Sequence, residues 1–559
     1  MSPTEQYNSI LTLLRAGALE QAEKEYFRLG LDTVSDNEDI LALGGRLLKS
    51  RMVESHQSHK RELARQAAEK YYHAYEATGG TYTGINTAAM QMLAGDIDNA
   101  RATADEVLHK TRGYSPKPGQ DAYYHMATVA EAYFILGDHA RAETNLTDAI
   151  SLDPENYDAH ASTLKQFELL ATVNSADISW LDKFRPPKTL HFAGHIFGLD
   201  GDGNILDEAS VYGLGKSILD KILSENIGYV YGALAAGSDI LIAEKALEAN
   251  AEFHLILPCP DELFIQTSVM PFGEHWVSRF WACKAAAKTV RYLSGDNLKT
   301  DDMFTAFASE TAMGLAVLKA ERLATKPLQL LIWDQKNPTA KAGTARDAKV
   351  WEQAGRDQII IPYPRDTRKA TGAGDNTEEL TASRDLKAMV FADVRGFGAL
   401  TDSQVPVFID KILRPLAICV NTQGRQLEHL NTWGDGLFLV LDSVEAAAKV
   451  ASDLQETFRA IDLAEIGLPE FLALRIGGHY GPVHEMRDPF TNRIGVFGTE
   501  VAFAARIEPV TVPGSIYVSE PFACALALSA EEKYRCETVG KVEARKGQQA
   551  LKLFSLRVR

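Results

Sequence analysis

The pattern of hydrophobic and polar residues divides the chain into regions of different periodicity. Residues 1–175 carry Ala and Leu at helical spacing between short polar breaks, which predicts paired helices. Between residues 186 and 364, short apolar runs alternate with amphipathic segments, and this pattern predicts a doubly wound α/β domain with a parallel sheet. Residues 365–385 are polar and contain Gly, as is typical of a linker. Residues 386–559 form a further region in which apolar runs end at Gly-rich turns.

The first region contains a weak internal repeat. A Gly followed five residues later by a small helical residue occurs at Gly17 and Ala22, Gly95 and Ala100, and Gly137 and Ala142. The third copy continues to Ala149 and Pro154 and resembles a tetratricopeptide repeat, in which small residues allow paired helices to pack closely. A plain helical bundle with recurring Gly-Ala turns is the alternative. In both cases we expect this region to bind a protein or peptide partner.

The middle region contains a Gly-rich loop between a predicted strand and a predicted helix. Strand 227–231 is followed by the loop 232–239, whose sequence is Gly-Ala-Leu-Ala-Ala-Gly-Ser-Asp. Loops at the carboxyl ends of parallel strands can bind nucleotides. A loop whose glycines only allow the strand and the helix to pack closely is an equally good explanation.

This loop resembles that of nucleotide-sensing Rossmann-like folds related to bacterial lysine-decarboxylase-like and DNA-processing proteins. The resemblance implies a ligand sensor, not a second enzyme, with a phosphate or a small nucleotide bound at the helix N-terminus. The residues expected to contact this ligand are Gly194, Gly232, Gly237, Ser238 and Asp239.

Composition narrows the class of protein. The net charge of −17 disfavours a nucleic-acid or anionic-membrane partner, because such surfaces need basic patches. No apolar run reaches the ~18 residues that a membrane span needs, and the N-terminus lacks a signal-peptide core. We therefore expect a cytoplasmic protein. Five scattered cysteines indicate neither a disulfide framework nor a zinc site, and we expect His479 and His484 to be structural.

Two aspartates in the last region lie in short Gly-rich motifs at predicted strand ends. Asp393 follows the apolar run 388–391, and Asp435 lies between Gly434 and Gly436 in a predicted hairpin turn. Two carboxylates that neighbouring strands bring together suit Mg²⁺, and Mg²⁺ is the usual companion of a nucleoside triphosphate. For either motif alone, an Asp that only forms a turn is the alternative.

The sequence from about residue 386 to the C-terminus resembles the class III nucleotide cyclase domain, the family of adenylyl and guanylyl cyclases. Four blocks in the family's order and spacing carry the resemblance: Phe391–Phe397, Gly434–Gly436, Gly498–Glu508 and Arg545–Gly547. The resemblance implies an α+β domain with a ferredoxin-like core. It also implies an enzyme that converts a nucleoside triphosphate into a 3′,5′-cyclic nucleotide and pyrophosphate. Partner-binding helices, a sensor fold, a linker and this output domain together suggest that a signal regulates the synthesis of this second messenger.

The resemblance gives roles to individual residues. Asp393 and Asp435 would hold two Mg²⁺ or Mn²⁺ ions per active site, and Arg506 would stabilise charge at the α-phosphate. Lys546 would bind the β- and γ-phosphates. The other expected substrate-binding positions are Phe397, Gly398, Asn431, Trp433 and Gly495. In this family each site forms between two catalytic domains, so a chain with one such domain is expected to form a homodimer.

Three positions depart from the family's pattern. Asn431 and Gly495 replace the base-reading lysine and its aspartate partner, and Ala502 replaces an asparagine that helps to orient the ribose. Losing one such hydrogen-bonding group can cost on the order of 10²–10³ in rate.

Three hypotheses follow from these departures. The first is a cyclase that uses ATP by default and reads the base through Asn431, Trp433 and backbone groups. The second is a pyrimidine (CTP or UTP) cyclase, similar to those of bacterial antiphage signalling. The third is a catalytically silent, nucleotide-sensing regulatory protein. The presence of Asp393, Asp435 and Arg506 favours an active enzyme.

Overall fold

The computed structural model describes residues 3–15, 18–33, 37–55, 57–113, 116–174, 176–197, 207–294, 302–335, 342–363, 384–543 and 550–559. The chain divides into two compact units. One unit comprises Met1–Pro186, Arg322–Thr325 and Arg559, and the other comprises Pro187–Glu321 and Lys326–Val558. Most of the predicted linker, as well as Gly17 and Lys546, lies outside the described residues. In the described part of the chain, no helix is long and apolar enough to cross a membrane.

The first unit is helical, as the sequence predicts. Its main helices are α1 (Pro3–Arg15), α2 (Leu19–Arg28), α3 (Glu38–Glu54), α4 (Gln57–Thr78), α5 (Thr81–Ala94), α6 (Ile97–Thr111), α7 (Gln120–Leu136), α8 (His139–Leu152) and α9 (Tyr157–Asn174). Gly95 and Gly137 terminate α5 and α7 in the left-handed conformation that Gly adopts without steric cost. Ala22, Ala100 and Ala142, which follow the repeat glycines, are fully buried.

The second unit begins with a six-stranded sheet, called here the parallel sheet. Its strands are β1 (Lys188–Gly194), β2 (Ile227–Gly232), β3 (Glu252–Leu257), β4 (Thr289–Tyr292), β5 (Pro327–Trp333) and β6 (Gln358–Pro362). Its helices are α10 (Glu208–Ser224), α11 (Ser238–Glu248), α12 (Asp261–Ser268), α13 (His275–Ala286), α14 (Asp302–Leu323) and α15 (Thr344–Gln353).

The strand order of the parallel sheet is β4-β3-β2-β1-β5-β6, and every neighbouring pair is parallel. The parallel arrangement agrees with the sequence prediction, although the short strand β4 was not predicted. The chain order reverses between β1 and β5, and the carboxyl ends of strands at such a reversal are where open α/β sheets bind ligands.

The rest of the second unit forms an eight-stranded sheet, called here the mixed sheet. Its strands are β7 (Arg384–Arg395), β8 (Leu427–Trp433), β9 (Gly436–Leu441), β10 (Ala473–Arg487), β11 (Ile494–Phe497), β12 (Ile516–Ser519), β13 (Tyr534–Val542) and β14 (Leu551–Val558). Its helices are α16 (Val405–Phe408), α17 (Arg414–Asn421), α18 (Val444–Arg459), α19 (Thr499–Ala504) and α20 (Glu520–Ser529).

The strands of the mixed sheet lie in the order β13-β14-β12-β10-β7-β9-β8, and β11 pairs with the far end of β10. Only β10 and β12 pair in parallel; the other pairs are antiparallel. Apolar residues of β7, β9 and β10 form one core with α17, α18 and α20. This α+β arrangement leaves the ends of the central strands β7, β9 and β10 close together.

Helix α14 packs against both sheets of the second unit. On one side, Thr189 of β1 donates a hydrogen bond of 2.8 Å to the carbonyl of Ala316. On the other side, a Cβ at Gly314 would lie 2.4 Å from the Cα of Cys524 in α20. The ring of Phe307 also lies 5.9 Å from that of Tyr480 in β10. Gly314 is therefore required for the close approach of α14 and α20.

Candidate active site

Asp393 and Asp435 meet where β7 ends and the β8–β9 hairpin turns. Asp393 lies on β7 next to Ala392, whose partner across the antiparallel pair is Leu437 of β9. Asp435 occupies the two-residue turn before β9, where Gly434 has a φ of 69°. The two carboxyl groups lie within hydrogen-bonding reach of each other. The structure thus brings together the two aspartates that the sequence predicts as metal ligands.

Burial and repulsion between neighbouring carboxylates disfavour ionisation of two acids in this cluster. Burial, followed by the neighbouring Asp393 carboxylate, raises the pKa of Asp435 to about 6. Glu508 belongs to the same cluster, because burial and repulsion from both aspartates raise its pKa to about 7 against the attraction of Arg475. The sequence pattern does not indicate a role for Glu508, because its proximity to the aspartates depends on the folded chain.

Arg475 supplies the positive charge of this cluster. It lies on β10 directly opposite Asp393 of β7. Its Nη2 is 2.7 Å from Asp393 Oδ2 and 2.8 Å from Glu508 Oε1. This arginine was also missed by sequence analysis, because only the register between β7 and β10 places it beside Asp393. The ion pair restricts the orientation of the Asp393 carboxylate.

The donor set of Asp393 and Asp435 fits a divalent cation that arrives with its substrate. Among the described residues, no group of three or more His, Cys, Asp and Glu side chains could hold a metal ion by itself. Mg²⁺ needs only one or two protein carboxylates when waters and phosphate oxygens complete its shell. A cation between the two aspartates would also remove the repulsion that raises the pKa of Asp435.

Arg506 lies beyond α19, in the segment that the sequence predicts to stabilise the transition state. Its guanidinium lies 5.1 Å from the centre of the Phe503 ring. Its Nε is buried and has no hydrogen-bond partner. Within the described residues of one chain, no hydrogen bond or ion pair joins Arg506 to Asp393 or Asp435. In one chain the two aspartates therefore lie together without a direct bond to this arginine.

The predicted base-reading positions lie on separate strands. Asn431 and Trp433 are on β8, and the Trp433 side chain is 52% exposed. Asn431 Oδ1 accepts a hydrogen bond only from the neighbouring backbone N–H of Thr432, at 2.9 Å. Gly495 lies on β11 opposite Met486. Across the described chain, no hydrogen bond links Asn431 with Gly495.

The remaining predicted substrate positions lie in the turn after β7. Phe397 packs its ring 4.9 Å from that of Phe408 in α16, so this residue contributes to the core beside the site. Gly398 is exposed.

The five residues predicted for the sensor ligand gather at the carboxyl ends of β1 and β2. A Cβ at Gly194 would lie 2.3 Å from the Cβ of Ser238, and one at Gly232 would lie 2.6 Å from the Phe192 ring. Close packing is therefore sufficient to explain these two glycines, without a role in ligand binding. Gly237 has a φ of 88° and precedes α11.

Polar side chains at the same place could bind a ligand more directly than the glycines. Ser238 Oγ donates to the carbonyl of His195 at 2.7 Å. Asp239 Oδ2 accepts from the backbone N–H of Ala235 at 3.3 Å, whereas its buried Oδ1 has no hydrogen-bond partner. Burial raises the pKa of Asp239 to about 7. His195 Nε2 lies 3.2 Å from Asp334 Oδ1 after β5, a pair that sequence analysis missed.

Two regions of the chain, one near each terminus, match known protein families. Residues 381–558 match the adenylate and guanylate cyclase catalytic domain, and residues 4–91 match the tetratricopeptide repeats-sensor family. The chain therefore carries a class III nucleotide cyclase domain behind a tetratricopeptide-type helical region, which confirms both resemblances. No curated protein shows significant similarity to the chain.

Three solved structures to which part of the chain is similar are cyclases. An adenylate cyclase from Trypanosoma brucei has 20% identity and a TM-score of 0.27, over 31% of this chain and 88% of that chain. The adenylyl cyclase CyaB from P. aeruginosa has 16% identity and a TM-score of 0.28, over 31% and 94%. The guanylate cyclase domain of RhGC from Catenaria anguillulae, in complex with GTP, has 19% identity and a TM-score of 0.27, over 32% and 100%. The family assignment rests on the domain matches alone.

Proposed function

We propose that this protein is an active, signal-regulated cyclase that converts a nucleoside triphosphate into a 3′,5′-cyclic nucleotide and pyrophosphate. The observation that carries the proposal is the juxtaposition of Asp393 and Asp435 in a cyclase-family domain. Two carboxylates that repel each other destabilise a fold unless a proton or a bound cation neutralises their charge. A domain retained only for its shape has no physical need for them.

The two aspartates and two arginines would each have a role in this reaction. Asp393 and Asp435 would hold two Mg²⁺ or Mn²⁺ ions, and such ions supply charge neutralisation on the phosphates and activation of the 3′-hydroxyl. Arg475 orients Asp393 through its 2.7 Å ion pair. Arg506 would place its delocalised charge at the α-phosphate, where positioning and electrostatics account for most of phosphoryl-transfer catalysis.

A homodimer completes the site in this proposal. Among the described residues of one chain, Arg506 forms no hydrogen bond or ion pair with Asp393 or Asp435, so in this proposal a second copy would supply the arginine. Phe490 is 95% exposed and Ile494 is 55% exposed around β11, and apolar side chains of this kind support a protein interface. A two-fold axis would then create two equivalent sites.

The identity of the base is the least constrained part of the proposal. Asn431 carries both a donor and an acceptor, so its amide can pair with more than one base edge. The exposed Trp433 ring offers a stacking surface that every base can use. ATP is the default substrate, with CTP or UTP as the alternative.

The parallel sheet is the candidate regulatory domain. We assign it to a Rossmann-like ligand sensor on the basis of its all-parallel strands and of the polar groups Ser238 and Asp239 at a strand-end loop. The helical region would bind a protein or peptide partner. A sensor domain and a partner-binding region joined to a cyclase domain would allow a signal to control the synthesis of a second messenger.

A silent, nucleotide-sensing regulatory protein is the second candidate. The exposed Ala502 on α19 favours it, because this residue lacks the amide that usually orients the ribose. Asn431 and Gly495 also lack the usual purine-reading groups.

The test incubates the full-length protein with Mg²⁺ or Mn²⁺ and each of ATP, GTP, CTP and UTP, and resolves the products by mass spectrometry. We expect one cyclic nucleotide from the wild type, none from Asp393→Ala, and normal yield from Asp220→Ala, which removes an exposed aspartate on α10. Metal-dependent nucleotide binding without any cyclic product would establish the silent alternative.

A further inference from the structure

We propose that His479 is a positioning residue for Arg506, and that a buried polar network through Ser519, Glu520 and Arg291 makes this positioning respond to the parallel sheet. The inference rests on the cyclase function proposed above. It adds a specific route by which the parallel sheet would regulate catalysis.

His479 contacts the ring of Phe503, against which the Arg506 guanidinium lies. Its side chain is only 2% exposed on β10. Its ring centre is 4.7 Å from that of Phe503, and the guanidinium of Arg506 lies 5.1 Å from the centre of the same Phe503 ring. His479 Nε2 also lies 2.7 Å from Glu500 Oε2. His479 therefore holds α19 at two points, one of which is next to Arg506 in space.

The hydrogen bonds of His479 are consistent with one fixed tautomer. Ser519 Oγ accepts from the backbone N–H of Phe522 at 3.4 Å as the N-cap of α20. Its own hydrogen is then free to be donated to His479 Nδ1, 2.8 Å away. Nε2 then carries the ring proton and donates it to the Glu500 carboxylate. Both ring nitrogens are satisfied only while α19, β10 and the start of α20 keep their present spacing.

Glu520, the residue after Ser519, is bound by the parallel sheet. Arg291 of β4 donates from Nε to Glu520 Oε2 at 2.7 Å and from Nη2 to Oε1 at 3.1 Å. Lys552 of β14 also donates to Glu520. Burial opposes ionisation of Glu520, but Arg291 and Lys552 outweigh it and hold the pKa of this carboxyl below its usual range. A two-pronged pair of this kind fixes both distance and angle between the sheets.

On the parallel sheet the network continues to the loop predicted to bind a ligand. Arg291 Nη1 donates to Thr289 Oγ1 at 2.9 Å, and this hydroxyl lies 2.8 Å from His254 Nδ1. The His254 ring stacks on Tyr231 with centres 4.5 Å apart and planes 10° from parallel. Tyr231 immediately precedes Gly232, the first residue of the loop 232–239. A rearrangement of this loop would thus act on the same chain of contacts that ends at Arg506.

A purely stabilising network is the competing explanation. Buried ion pairs are weak evidence for stability, because the cost of desolvation can exceed the attraction between the charges. Positioning predicts an effect on the turnover number with little change in the Michaelis constant, whereas a stabilising role predicts an effect on unfolding alone.

The first experiment compares Arg291→Gln with Arg279→Gln in the full-length protein. Arg279 makes an equally two-pronged pair with Glu244, at 2.7 and 2.5 Å, but within the helices of the parallel sheet. We expect Arg291→Gln to lower kcat about 3- to 30-fold with KM nearly unchanged, the range of couplings found along such networks. We expect Arg279→Gln to leave kcat unchanged.

Hydrogen exchange gives a readout that does not need activity. Arg291→Gln should accelerate amide exchange across 499–506, and Arg279→Gln should not. If exchange and kcat in Arg291→Gln both equal those of the Arg279→Gln control, the proposed coupling is wrong. If the wild type forms no cyclic product but exchange across 499–506 still responds to Arg291→Gln, the cyclase proposal fails while the structural coupling stands.

Variants of His479 test the positioning role itself. Gln can donate to Glu500 as the Nε2–H does, whereas Leu cannot. We expect kcat to fall more in His479→Leu than in His479→Gln, with equal KM. Equal losses of kcat in the two variants would overturn the role assigned to the hydrogen bond with Glu500.

Discussion

The two sheets of the second unit both carry acidic groups at strand ends, but they compensate these charges in different ways. In the mixed sheet, Asp393 pairs with Arg475, and both Asp393 and Asp435 are partly exposed to solvent. In the parallel sheet, Asp239 is buried, one of its oxygens has no hydrogen-bond partner, and its pKa is about 7. The first arrangement can receive a hydrated cation with a nucleotide. The second arrangement suits either a protonated Asp239 or an ionised Asp239 that accepts hydrogen bonds from a ligand.

The largest expected effect is that of Asp435→Asn, which should lower the activity of the protein and raise its stability. Asp435→Asn should reduce cyclase activity by on the order of 10³-fold, because it removes a charge on which the reaction depends. In the absence of divalent metal at pH 7.5, the same change should raise the free energy of unfolding by about 1 kcal/mol, a value discounted for the exposure of this group. Denaturant unfolding with a chelator present measures the second effect.

The pH dependence of this gain has a defined sign. The pKa of Asp435 in the folded protein is about 6, above its ordinary value of 3.8. Stability is therefore lost as the pH rises from about 4 through 6. The advantage of Asp435→Asn should fade toward pH 4. An Asp435→Asn variant that is less stable than the wild type at pH 7.5 would contradict the repulsion inferred here.

The second prediction concerns the buried acid of the parallel sheet. Asp239 has a folded pKa of about 7 against an ordinary value of 3.8, so ionisation destabilises the fold as the pH rises through this window. Asp239→Asn should raise the free energy of unfolding by about 3 kcal/mol at pH 8 and by less at pH 5.5. The exposed Asp220→Asn serves as the control. A loss of stability in Asp239→Asn at pH 8 would mean that the fold relies on the charge of this carboxylate.

The third prediction tests how tightly the two sheets are joined. Gly314→Ala places a methyl group 2.4 Å from the Cα of Cys524, and such overpacking costs about 1–3 kcal/mol of unfolding free energy. Gly213→Ala is the matched control in helix α10, where a Cβ meets no atom within 4 Å. We expect this control to gain about 0.5–1 kcal/mol, because Ala favours a helix interior over Gly. Equal stabilities of the two variants, measured by thermal unfolding, would show that α14 can move away from α20.

The smallest effect is a gain of function. Ala502→Asn restores the amide that is usual in the cyclase family, on an exposed position of α19. We expect kcat to rise about 10-fold, a fraction of what one hydrogen-bonding group can contribute. Steady-state kinetics with the preferred triphosphate measure it, and Ala505→Asn on the exposed end of the same segment is the control. An unchanged kcat would mean that another group orients the ribose.

The sequence predicted the groups whose placement is decided locally. Gly434 and Gly436 mark the hairpin turn that carries Asp435, and the apolar run before Asp393 marks its strand. Arg475 and Glu508 could not be found in this way, because the β7–β10 register brings Arg475 to Asp393 across 82 residues of sequence. Local pattern carries no information about such a distant pairing.

The same limit applies to His479, which the sequence predicts to be structural and for which we propose a positioning role. Its partners Glu500 and Ser519 lie 21 and 40 residues further along the chain. A single histidine on an apolar strand gives no sign of such contacts. Strand β4 was missed for another reason, because its four residues are too few to show a period.

The close approach of α14 and α20 has a practical consequence for protein production. A fragment that begins at residue 384 would lack α14 and would leave uncovered the surface around Cys524, which is fully buried in the whole chain. Freshly exposed apolar surface with a thiol promotes aggregation and oxidation. Expression of the catalytic domain should therefore begin before residue 302 and keep this helix, so that the fragment includes its own natural cover.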